Sequence, residues 1–367
     1  MAHPSAGTSP FHLLTGHPRS HTNQMSQTLT PPPAQETPSE LRLETEDVNA
    51  CPLCGSSGDP LYEGLTDRLY GVPGQWRIQK CRAENCGLLW LDPRPTPQDI
   101  GKAYAEYFTH DSSSQPRVRP GFLSRVAELQ GRFLRKLWQI SSRQKRVRSA
   151  ADLMFLDGVK PGRLLEIGCG NGRRLVQFRD HGWQVEGLEV DAKAARSARE
   201  GLGLTVHEGL IADLDLEAEF YDAVILSHVI EHVHDPVGLL TEARRLLRPQ
   251  GILTVTTPNA IGLGHRTFGP HWYGLDSPRH LFIFSPLTLD AAARRAGFND
   301  LRIWTVAAHA SALATPSLAT QSNGRVNMGS RPDMEYLVAG TAFQLWAQQY
   351  LRFDPDSGEE CVLQATK

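Results

Sequence analysis

Short apolar runs alternate with amphipathic stretches along the chain from residue 160 onward. The runs of strand length are RLLEI, VEGLEV, DAVILS, ILTVTT and LRIWTV. Segments with the apolar spacing of helices follow most of them, and repeated strand–helix units imply a parallel sheet covered on both faces. Because strand–helix–strand crossovers are right-handed, we predict a doubly wound α/β sheet with its site at the carboxyl ends of the strands.

The pattern differs in the N-terminal third of the chain. Residues 1–48 are rich in Pro, Ser, Thr, His and Gln without a sustained apolar period, which predicts a disordered extension. Met25 is an alternative start of the chain, so residues 1–24 are set apart from the rest. Residues 96–150 have helical apolar spacing and are predicted to form a helical linker or cap.

Composition excludes several classes of protein. Hydrophobic residues make up 40% and charged residues 21% of the chain, as in soluble globular proteins. The formal net charge of −2 gives no global reason to bind nucleic acid or an anionic membrane. No apolar run approaches the roughly 18–20 residues that span a bilayer, and no secretory signal pattern is found. The cytoplasm is therefore the expected location.

One local charge run stands apart from this balance. Ten basic residues and a single acid lie between Arg117 and Arg148. We interpret them as the solvated face of a helix that links two domains. A surface for phosphate, anionic lipid head groups or RNA is the alternative.

Four of the six cysteines form two close pairs before residue 90. The pairs are C-x2-C at Cys51 and Cys54 and C-x4-C at Cys81 and Cys86. In a chain without an export signal such pairs indicate metal rather than disulfides. Four thiolates complete a closed tetrahedral shell without a position for water, so we predict a structural zinc ion in a ribbon at residues 49–95. Four unrelated buried thiols are the alternative.

A glycine-rich turn follows the first strand of the main domain, in LLEIGCGNGRRL. Gly168, Gly170 and Gly172 leave the backbone bare, so that a ligand can approach it closely. The spacing departs from the G-x-G-x-x-G of dinucleotide sites. Glu166, just before the first glycine, would repel phosphates and suits an amine or a sulfonium. Glu189 ends the next strand, where an acid can accept both hydroxyls of a ribose.

Five segments now carry a family resemblance. LLEIGCGNG, VEGLEVD, YDAVILSHVIEHVHDP, LLRPQGILTVTTPN and SPRHLFIFSP together resemble class I S-adenosylmethionine-dependent methyltransferases, and most closely the bacterial subgroup with an N-terminal zinc-binding region. The resemblance spans about residues 49–306. It implies a Rossmann-like, mostly parallel seven-stranded sheet within residues 151–367, with GEECVLQATK as the last strand. A helical insertion at 307–357 precedes that strand and is a candidate part of the acceptor pocket.

The resemblance also implies roles for single residues. Glu166 and the three glycines would hold the methionine end of S-adenosylmethionine, and Glu189 would hold its ribose. The loop at 210–213, including Asp213, would face the adenine. Ser227 and His228 would line the methionine and the acceptor.

Histidines are concentrated in the second half of the chain. Six of the fourteen lie between residues 228 and 280, namely His228, His232, His234, His265, His271 and His280. An acceptor that must lose a proton before methylation needs a general base, for which imidazole is suited near neutral pH. His280 and His232 are the leading candidates, and a structural role is the alternative for each. A metal ion held by several of these histidines is a less favoured alternative. The segment GPHWYGLDSPRH is a candidate lid.

These observations favour methyl transfer from S-adenosylmethionine to an oxygen or carbon atom of a small molecule, such as a sugar, a quinone or a related metabolite. An RNA methyltransferase that grips phosphates with the ribbon and the basic helix is the second reading. The slightly acidic net charge and the absence of an N-P-P-[YF] motif argue against it. A non-catalytic cofactor-binding or assembly module is the third. Neither the acceptor nor the oligomeric state can be deduced from the sequence.

Overall fold

The computed structural model describes residues 42–104, 142–326 and 332–367, with the side chains of 142–146 left out of that description. The residues from Leu43 onward belong to one compact unit. The disorder predicted for residues 1–48 lies outside the described residues up to residue 41. The helical linker and most of the basic run, at residues 105–141, lie outside them as well.

The first part of the structure is a small antiparallel ribbon. Its strands are β1 (Thr45–Glu46), β2 (Gly58–Leu65), β3 (Trp76–Cys81), β4 (Leu89–Leu91) and β5 (Arg94–Pro95). β3 pairs with β2 and β4, and β1 pairs with β5. Because β1 is paired, the compact part of the chain starts ahead of the predicted boundary at residue 48. A short 3₁₀ helix at Ile100–Tyr104 follows the ribbon.

A seven-stranded sheet forms the centre of the remaining chain. The further strands are β6 (Arg163–Ile167), β7 (Gln184–Glu189), β8 (Thr205–Glu208), β9 (Tyr221–Ser227), β10 (Leu247–Pro258), β11 (Phe282–Ile283), β12 (Asp300–Val306) and β13 (Glu360–Thr366). The order is β8-β7-β6-β9-β10-β13-β12. The first five of these strands run parallel, and β13 is antiparallel to both of its neighbours. The predicted doubly wound, mostly parallel seven-stranded sheet is confirmed.

Helices connect the strands and cover the sheet. They are α1 (Ser142–Asp152), α2 (Arg173–Asp180), α3 (Ala192–Leu202), α4 (Pro236–Leu246), α5 (Leu263–Phe268), α6 (Pro286–Arg295), α7 (Ala310–Asn323) and α8 (Met334–Tyr350). Side chains before several helices cap them: Asp191 accepts from the Ala194 amide at 2.7 Å, and Asp235 accepts from the Gly238 amide at 2.8 Å. Such caps satisfy amide groups that have no partner within the helix. None of the helices in the described ranges is long and apolar enough to cross a bilayer.

One face of the sheet packs against α2 and α3 through a continuous apolar cluster. Its larger members include Met154, Phe178, Trp183, Leu175 and Leu204, all of them buried. Strands β6 and β9 run through the middle of the sheet with nearly every residue buried, as expected for strands covered on both faces. This burial holds the carboxyl ends of the two strands at one fixed position.

The ribbon is joined to the α/β domain by a shared sheet. β11, which lies far along the chain, pairs antiparallel with β4, so that Phe282 stands opposite Trp90. The Leu91 amide also donates to the Leu281 carbonyl at 3.0 Å. The four-stranded sheet of the ribbon, β11-β4-β3-β2, is therefore completed by a segment of the larger domain.

A buried charge cluster lies beside that junction. The guanidinium of Arg279 donates two hydrogen bonds of 2.8 Å to the two carboxylate oxygens of Asp67 in the ribbon. It also donates to Asp276 at 2.6 Å and 2.9 Å. Asp276 and Arg279 belong to the segment GPHWYGLDSPRH, in which Trp272 is also buried. The segment expected to be a lid is packed against the ribbon.

Candidate active site

The candidate site lies where the winding direction of the sheet reverses. β6 and β9 are neighbours, but the chain continues from β6 toward β7 and from β9 toward β10, on opposite sides. Such a reversal leaves a crevice at the carboxyl ends of the two strands. A cleft of about 380 Å³ opens there. Its lining includes Glu166, Gly168, Gly170, Arg174, Ser227 and His309.

The three glycines of the loop after β6 have different functions. A Cβ on Gly168 would lie 2.5 Å from Val229 Cγ2, and one on Gly172 would lie 2.4 Å from Leu204 Cδ1. These two positions are closely packed, and their φ angles of +72° and +76° also favour glycine. Gly170 has a φ of +54°, and a Cβ there would meet nothing within 4 Å. Its backbone therefore faces the open cleft, where a ligand can approach it.

Glu166 places a buried carboxyl group at the base of this loop. It lies within β6 and is 2% exposed. Its Oε1 accepts from Arg174 Nη1 at 3.0 Å, and its Oε2 has no hydrogen-bond partner among the described residues. Burial raises the pKa of Glu166 to about 7, with Arg174 opposing the shift and Glu189 adding to it. A cationic group in the cleft would pair with Oε2 and favour the ionised form.

Glu189, the last residue of β7, braces the glycine loop from the neighbouring strand. Its Oε2 accepts from the Gly170 amide at 2.7 Å, and its Oε1 accepts from the Asp191 amide at 2.9 Å. Each carboxylate oxygen keeps a further lone pair. Val190 and Leu210, which follow the ends of β7 and β8, are 61% and 59% exposed. Two apolar side chains are thus presented to solvent beside a buried carboxylate.

Asp213, the residue expected near an adenine, ends a 3₁₀ helix at Ile211–Asp213. Its side chain is exposed. The helix directly follows Leu210, so Asp213 belongs to the loop after β8, as its assignment required.

Ser227 is the last residue of β9, and His228 follows it. Ser227 lines the cleft, and its Oγ accepts from Thr256 Oγ1 at 3.3 Å. His228 Nε2 lies 2.8 Å from Glu360 Oε1, and its Nδ1 lies 3.3 Å from Glu231 Oε1. Burial lowers the pKa of His228, but the two carboxylates outweigh it and raise the pKa to about 10. At neutral pH this side chain is a cation rather than a base.

Glu360, the first residue of β13, extends the charge network to the rim of the cleft. Its Oε2 lies 3.4 Å from Nδ1 of His309, and His309 Nε2 lies 3.5 Å from Asp152 Oδ1. The hydrogen bond to Glu360 raises the pKa of His309 although burial opposes it. Imidazoles and carboxylates therefore alternate along one network, in the order His228, Glu360, His309 and Asp152.

His232 and His280 are brought together although 48 residues separate them in sequence. Their ring centroids lie 4.6 Å apart. Nδ1 of His232 lies 3.1 Å from the Arg279 carbonyl, and Nδ1 of His280 lies 2.8 Å from the Gly274 carbonyl. Burial lowers the pKa of both imidazoles, that of His232 to about 4 with His280 adding to the shift. Both are neutral at pH 7.

The other three histidines of the sequence cluster connect loops to the ribbon. His234 Nε2 donates to the Pro95 carbonyl at 2.8 Å. His265 Nε2 lies 3.0 Å from the hydroxyl of Tyr62. His271 Nδ1 accepts from Arg68 Nη1 at 3.0 Å. These side chains position the ribbon, and the clustering of histidines along the chain therefore reflects two different roles.

The four paired cysteines converge at one point of the ribbon. Their sulfur atoms all lie within 4.8 Å of one another, with Cys51 and Cys86 3.7 Å apart and Cys54 and Cys81 3.3 Å apart. None of the four is in a disulfide. A Zn–S distance near 2.3 Å separates the thiolates of a tetrahedral site by about 3.8 Å. The arrangement of the thiols fits a zinc ion with a closed shell.

Sequence reasoning missed the carboxylates that surround the histidines. Glu231 is fully buried, and residues 228–232 read H-x-x-E-H, which is the signal that marks it. On a helix this spacing would place both histidines on one face. Here the segment is a turn, so His228 faces Glu360 while His232 joins His280. Glu360 and His309 have no comparable local signal, because only the fold of the C-terminal strand brings them to the site.

Comparison with known proteins supports these geometric observations. Residues 140–303 match the sequence profile of a family described as a methyltransferase domain. That match includes β6 to β11 and most of β12, with the glycine loop and the strand-end residues of the cleft. The matched residues make up less than half of the chain.

Two relatives and one solved structure illustrate the likeness. A probable S-adenosylmethionine-dependent methyltransferase of Mycolicibacterium smegmatis is 34% identical over 120 residues, 32% of this chain and 44% of that protein. A ubiquinone biosynthesis O-methyltransferase of Rhodopseudomonas palustris is 31% identical over 149 residues, 39% of this chain and 56% of that protein. The chain thus spans about half the length of these relatives. A Thermotoga maritima protein described as a possible histamine N-methyltransferase aligns with a TM-score of 0.42 and 21% identity, covering 65% of this chain and 97% of that one.

Proposed function

We propose that this protein transfers a methyl group from S-adenosylmethionine to an oxygen or carbon atom of a small molecule, such as a sugar, a quinone or a related metabolite. One observation carries the proposal. An open glycine backbone at Gly170 lies between two buried carboxylates, Glu166 and Glu189, at the reversal point of a doubly wound sheet. A sulfonium cofactor with a ribose and an amino group requires such a combination.

The residues of the cleft fit that cofactor group by group. The unpartnered Oε2 of Glu166 suits the cationic methionine end. The remaining lone pairs of Glu189 suit the ribose hydroxyls. The exposed side chains of Val190 and Leu210 offer apolar surface to the two faces of the adenine, with Asp213 following in the same loop. Gly170 lets the ligand approach the backbone.

Methyl transfer requires the protein chiefly to align the acceptor atom with the methyl group and to exclude water. The bound cofactor supplies a methyl group on a cationic sulfur, and its transfer releases S-adenosylhomocysteine and a proton from the acceptor. Cationic His228 presents a fixed positive charge beside Ser227 at the cleft. The neutral imidazoles of His232 and His280 are the candidates for taking the proton. The relatives named as ubiquinone biosynthesis O-methyltransferases support a small-molecule acceptor.

The cysteine cluster of the ribbon is proposed to hold a structural zinc ion. Cys51, Cys54, Cys81 and Cys86 would be its ligands. A closed four-thiolate shell leaves no position for substrate, so the zinc would stabilise the ribbon and the surfaces that the ribbon presents to the α/β domain.

Calorimetry with S-adenosylmethionine tests the proposal. We expect binding with one site per chain, and Glu189→Gln should weaken it roughly ten- to hundred-fold, since hydrogen bonds to charged groups contribute about 1.5–3 kcal/mol. Glu208→Gln is the matched control, because Glu208 ends the neighbouring strand in register with Glu189 and pairs with Arg199 on the surface. Equal affinities of the two variants would overturn the ribose assignment. No binding by the parent chain would overturn the proposed function. If binding is seen, incubation with labelled cofactor and a metabolite extract would identify the acceptor.

A further inference from the structure

We infer that Glu231, His232 and His280 form a second metal site, distinct from the cysteine site, which takes a divalent transition-metal ion through one carboxylate and two imidazoles. One ligand atom from each residue lies within 4.8 Å of the other two. Glu231 and His232 are adjacent in the turn after β9, whereas His280 comes from the segment before β11. The fold therefore brings the set together from two separate parts of the chain.

The two ring nitrogens of each histidine have different partners, as metal binding requires. In each imidazole Nδ1 faces a backbone carbonyl, Arg279 for His232 and Gly274 for His280. Nδ1 of His232 also lies 2.9 Å from the hydroxyl of Tyr104, which can accept as well as donate. A carbonyl can only accept, so Nδ1 carries the proton and the lone pair is on Nε2, which in His280 lies 3.9 Å from Asp276 Oδ2. Histidine ligands of metals usually donate their other N–H to a carbonyl or a carboxylate, which fixes the ring and its tautomer. Both rings have this second bond in place.

The carboxylate supplies the third donor. Glu231 is fully buried, and its Oε2 accepts from Thr257 Oγ1 at 3.0 Å. Its Oε1 makes no hydrogen bond within the described part of the chain, although His228 Nδ1 stands 3.3 Å away. A buried carboxylate oxygen without a hydrogen bond is costly. Beside its ion pair with His228, this oxygen keeps a lone pair that a metal ion held by the two imidazoles would take.

The donor set restricts the kind of ion. Two imidazoles and one carboxylate suit Zn²⁺, Fe²⁺, Co²⁺ or Mn²⁺, whereas Mg²⁺ and Ca²⁺ prefer oxygen ligands throughout. Three protein ligands leave coordination positions free for water or for an oxygen-bearing molecule. An ion here would lie beside His228, whose chain neighbour Ser227 lines the cofactor cleft. The site thus goes beyond the proposed methyl transfer and would offer an anchor for an acceptor oxygen. With an ion bound, the lone pairs of His232 and His280 are occupied, so their role as metal ligands replaces their role in taking the proton.

Cobalt titration of the full chain tests this site. One equivalent of Zn²⁺ is first added to fill the cysteine site, whose four thiolates bind zinc in preference to the mixed nitrogen and oxygen site. Co²⁺ is then added while visible absorption is recorded. We expect d–d bands that saturate at one equivalent without a sulfur-to-cobalt charge-transfer band, because nitrogen and oxygen bind the ion. His280→Gln and His232→Gln should weaken Co²⁺ binding at least ten-fold. Mutating a residue that only hydrogen-bonds to a metal ligand already lowers metal affinity by about 10–100-fold.

His234→Gln is the matched control, because His234 lies in the same turn but donates to Pro95. It should retain the cobalt bands. The inference is overturned if no band saturates at one equivalent, or if His280→Gln and His234→Gln bind Co²⁺ equally. Zinc content and thermal unfolding check each variant, and the half-buried His232 provides the second variant if His280→Gln does not fold. Cobalt is measured without S-adenosylmethionine, so this result is independent of whether the cofactor binds.

Discussion

Arg279 is a buried cation that pairs with one carboxylate of the ribbon and one of the α/β domain. Its replacement by methionine removes the positive charge while keeping most of the apolar volume of the side chain. The guanidinium has no exposed surface. It donates to both oxygens of Asp67 and to Asp276, and it lies 4.7 Å from the centre of the Tyr70 ring. Two carboxylates depend on this one cation, one from the ribbon and one from the segment before β11.

The expected loss follows from what remains buried. Arg279→Met leaves the carboxylates of Asp67 and Asp276, whose side chains are 0% and 6% exposed, without their counter-ion. Removing one partner of a buried ion pair costs about 3–5 kcal/mol. Each kcal/mol shifts the melting temperature of a domain of this size by roughly 2–4 °C, so a fall of about 6–20 °C is expected. Asp67 keeps hydrogen bonds from the amides of Leu69, Tyr70 and Val72, which favours the lower half of that range.

Thermal and urea unfolding of the parent chain and the variant measure this loss. Arg294→Ala is the control, because Arg294 pairs with Asp290 on the surface and such pairs contribute about 0–1 kcal/mol. Adding Asp67→Asn to Arg279→Met should recover part of the loss, since one unpaired charge is then removed. If Arg279→Met and Arg294→Ala lose the same free energy of unfolding, the buried cluster does not hold the ribbon in place.

Four further substitutions are expected to have distinct effects. Glu166→Gln should raise the free energy of unfolding of the cofactor-free chain by about 1–3 kcal/mol at pH 8, because burial raises the carboxyl pKa from 4.5 to about 7 and stability is lost as pH rises through that interval. The gain should shrink below pH 5, and S-adenosylmethionine should bind more weakly. Gly172→Ala should destabilise the chain by about 1–3 kcal/mol through overpacking, in addition to the strain at its φ of +76°, whereas Gly170→Ala should cost about 1–2 kcal/mol of backbone strain alone and reduce cofactor affinity. Cys54→Ser should lower the zinc content and the melting temperature, and Cys361→Ala should leave the zinc content unchanged.

Urea unfolding across pH, calorimetry with S-adenosylmethionine and elemental analysis check these outcomes. A gain from Glu166→Gln that is the same at pH 5 and pH 8 would contradict the raised pKa. Equal cofactor affinities of Gly170→Ala and the parent chain would show that the backbone at Gly170 is not approached. Full zinc occupancy in Cys54→Ser would contradict a four-thiolate site.

Local periodicity in the sequence predicted a doubly wound parallel sheet, and the family resemblance supplied the number of strands and the last strand. Apolar runs such as those of β6 and β9 need only burial on both faces to become central strands, and glycine spacing after β6 encodes backbone geometry directly. The same local logic located the paired cysteines and the acids at 166 and 189. Each of these signals lies within a few residues of the feature it predicts.

Contacts between distant parts of the chain were not available to that reasoning. Glu360 reaches His228 only because β13 inserts between β10 and β12, and His280 reaches His232 only because β11 completes the sheet of the ribbon. A histidine's tautomer and charge depend on which carbonyl or carboxylate faces it, and neither partner is close in sequence. The sequence alone therefore determined the strands, the glycine loop and the cysteine pairs. Only the tertiary structure decided which histidine is a cation, which are neutral and which carboxylates surround them, because charge and proton positions are set by neighbours in space.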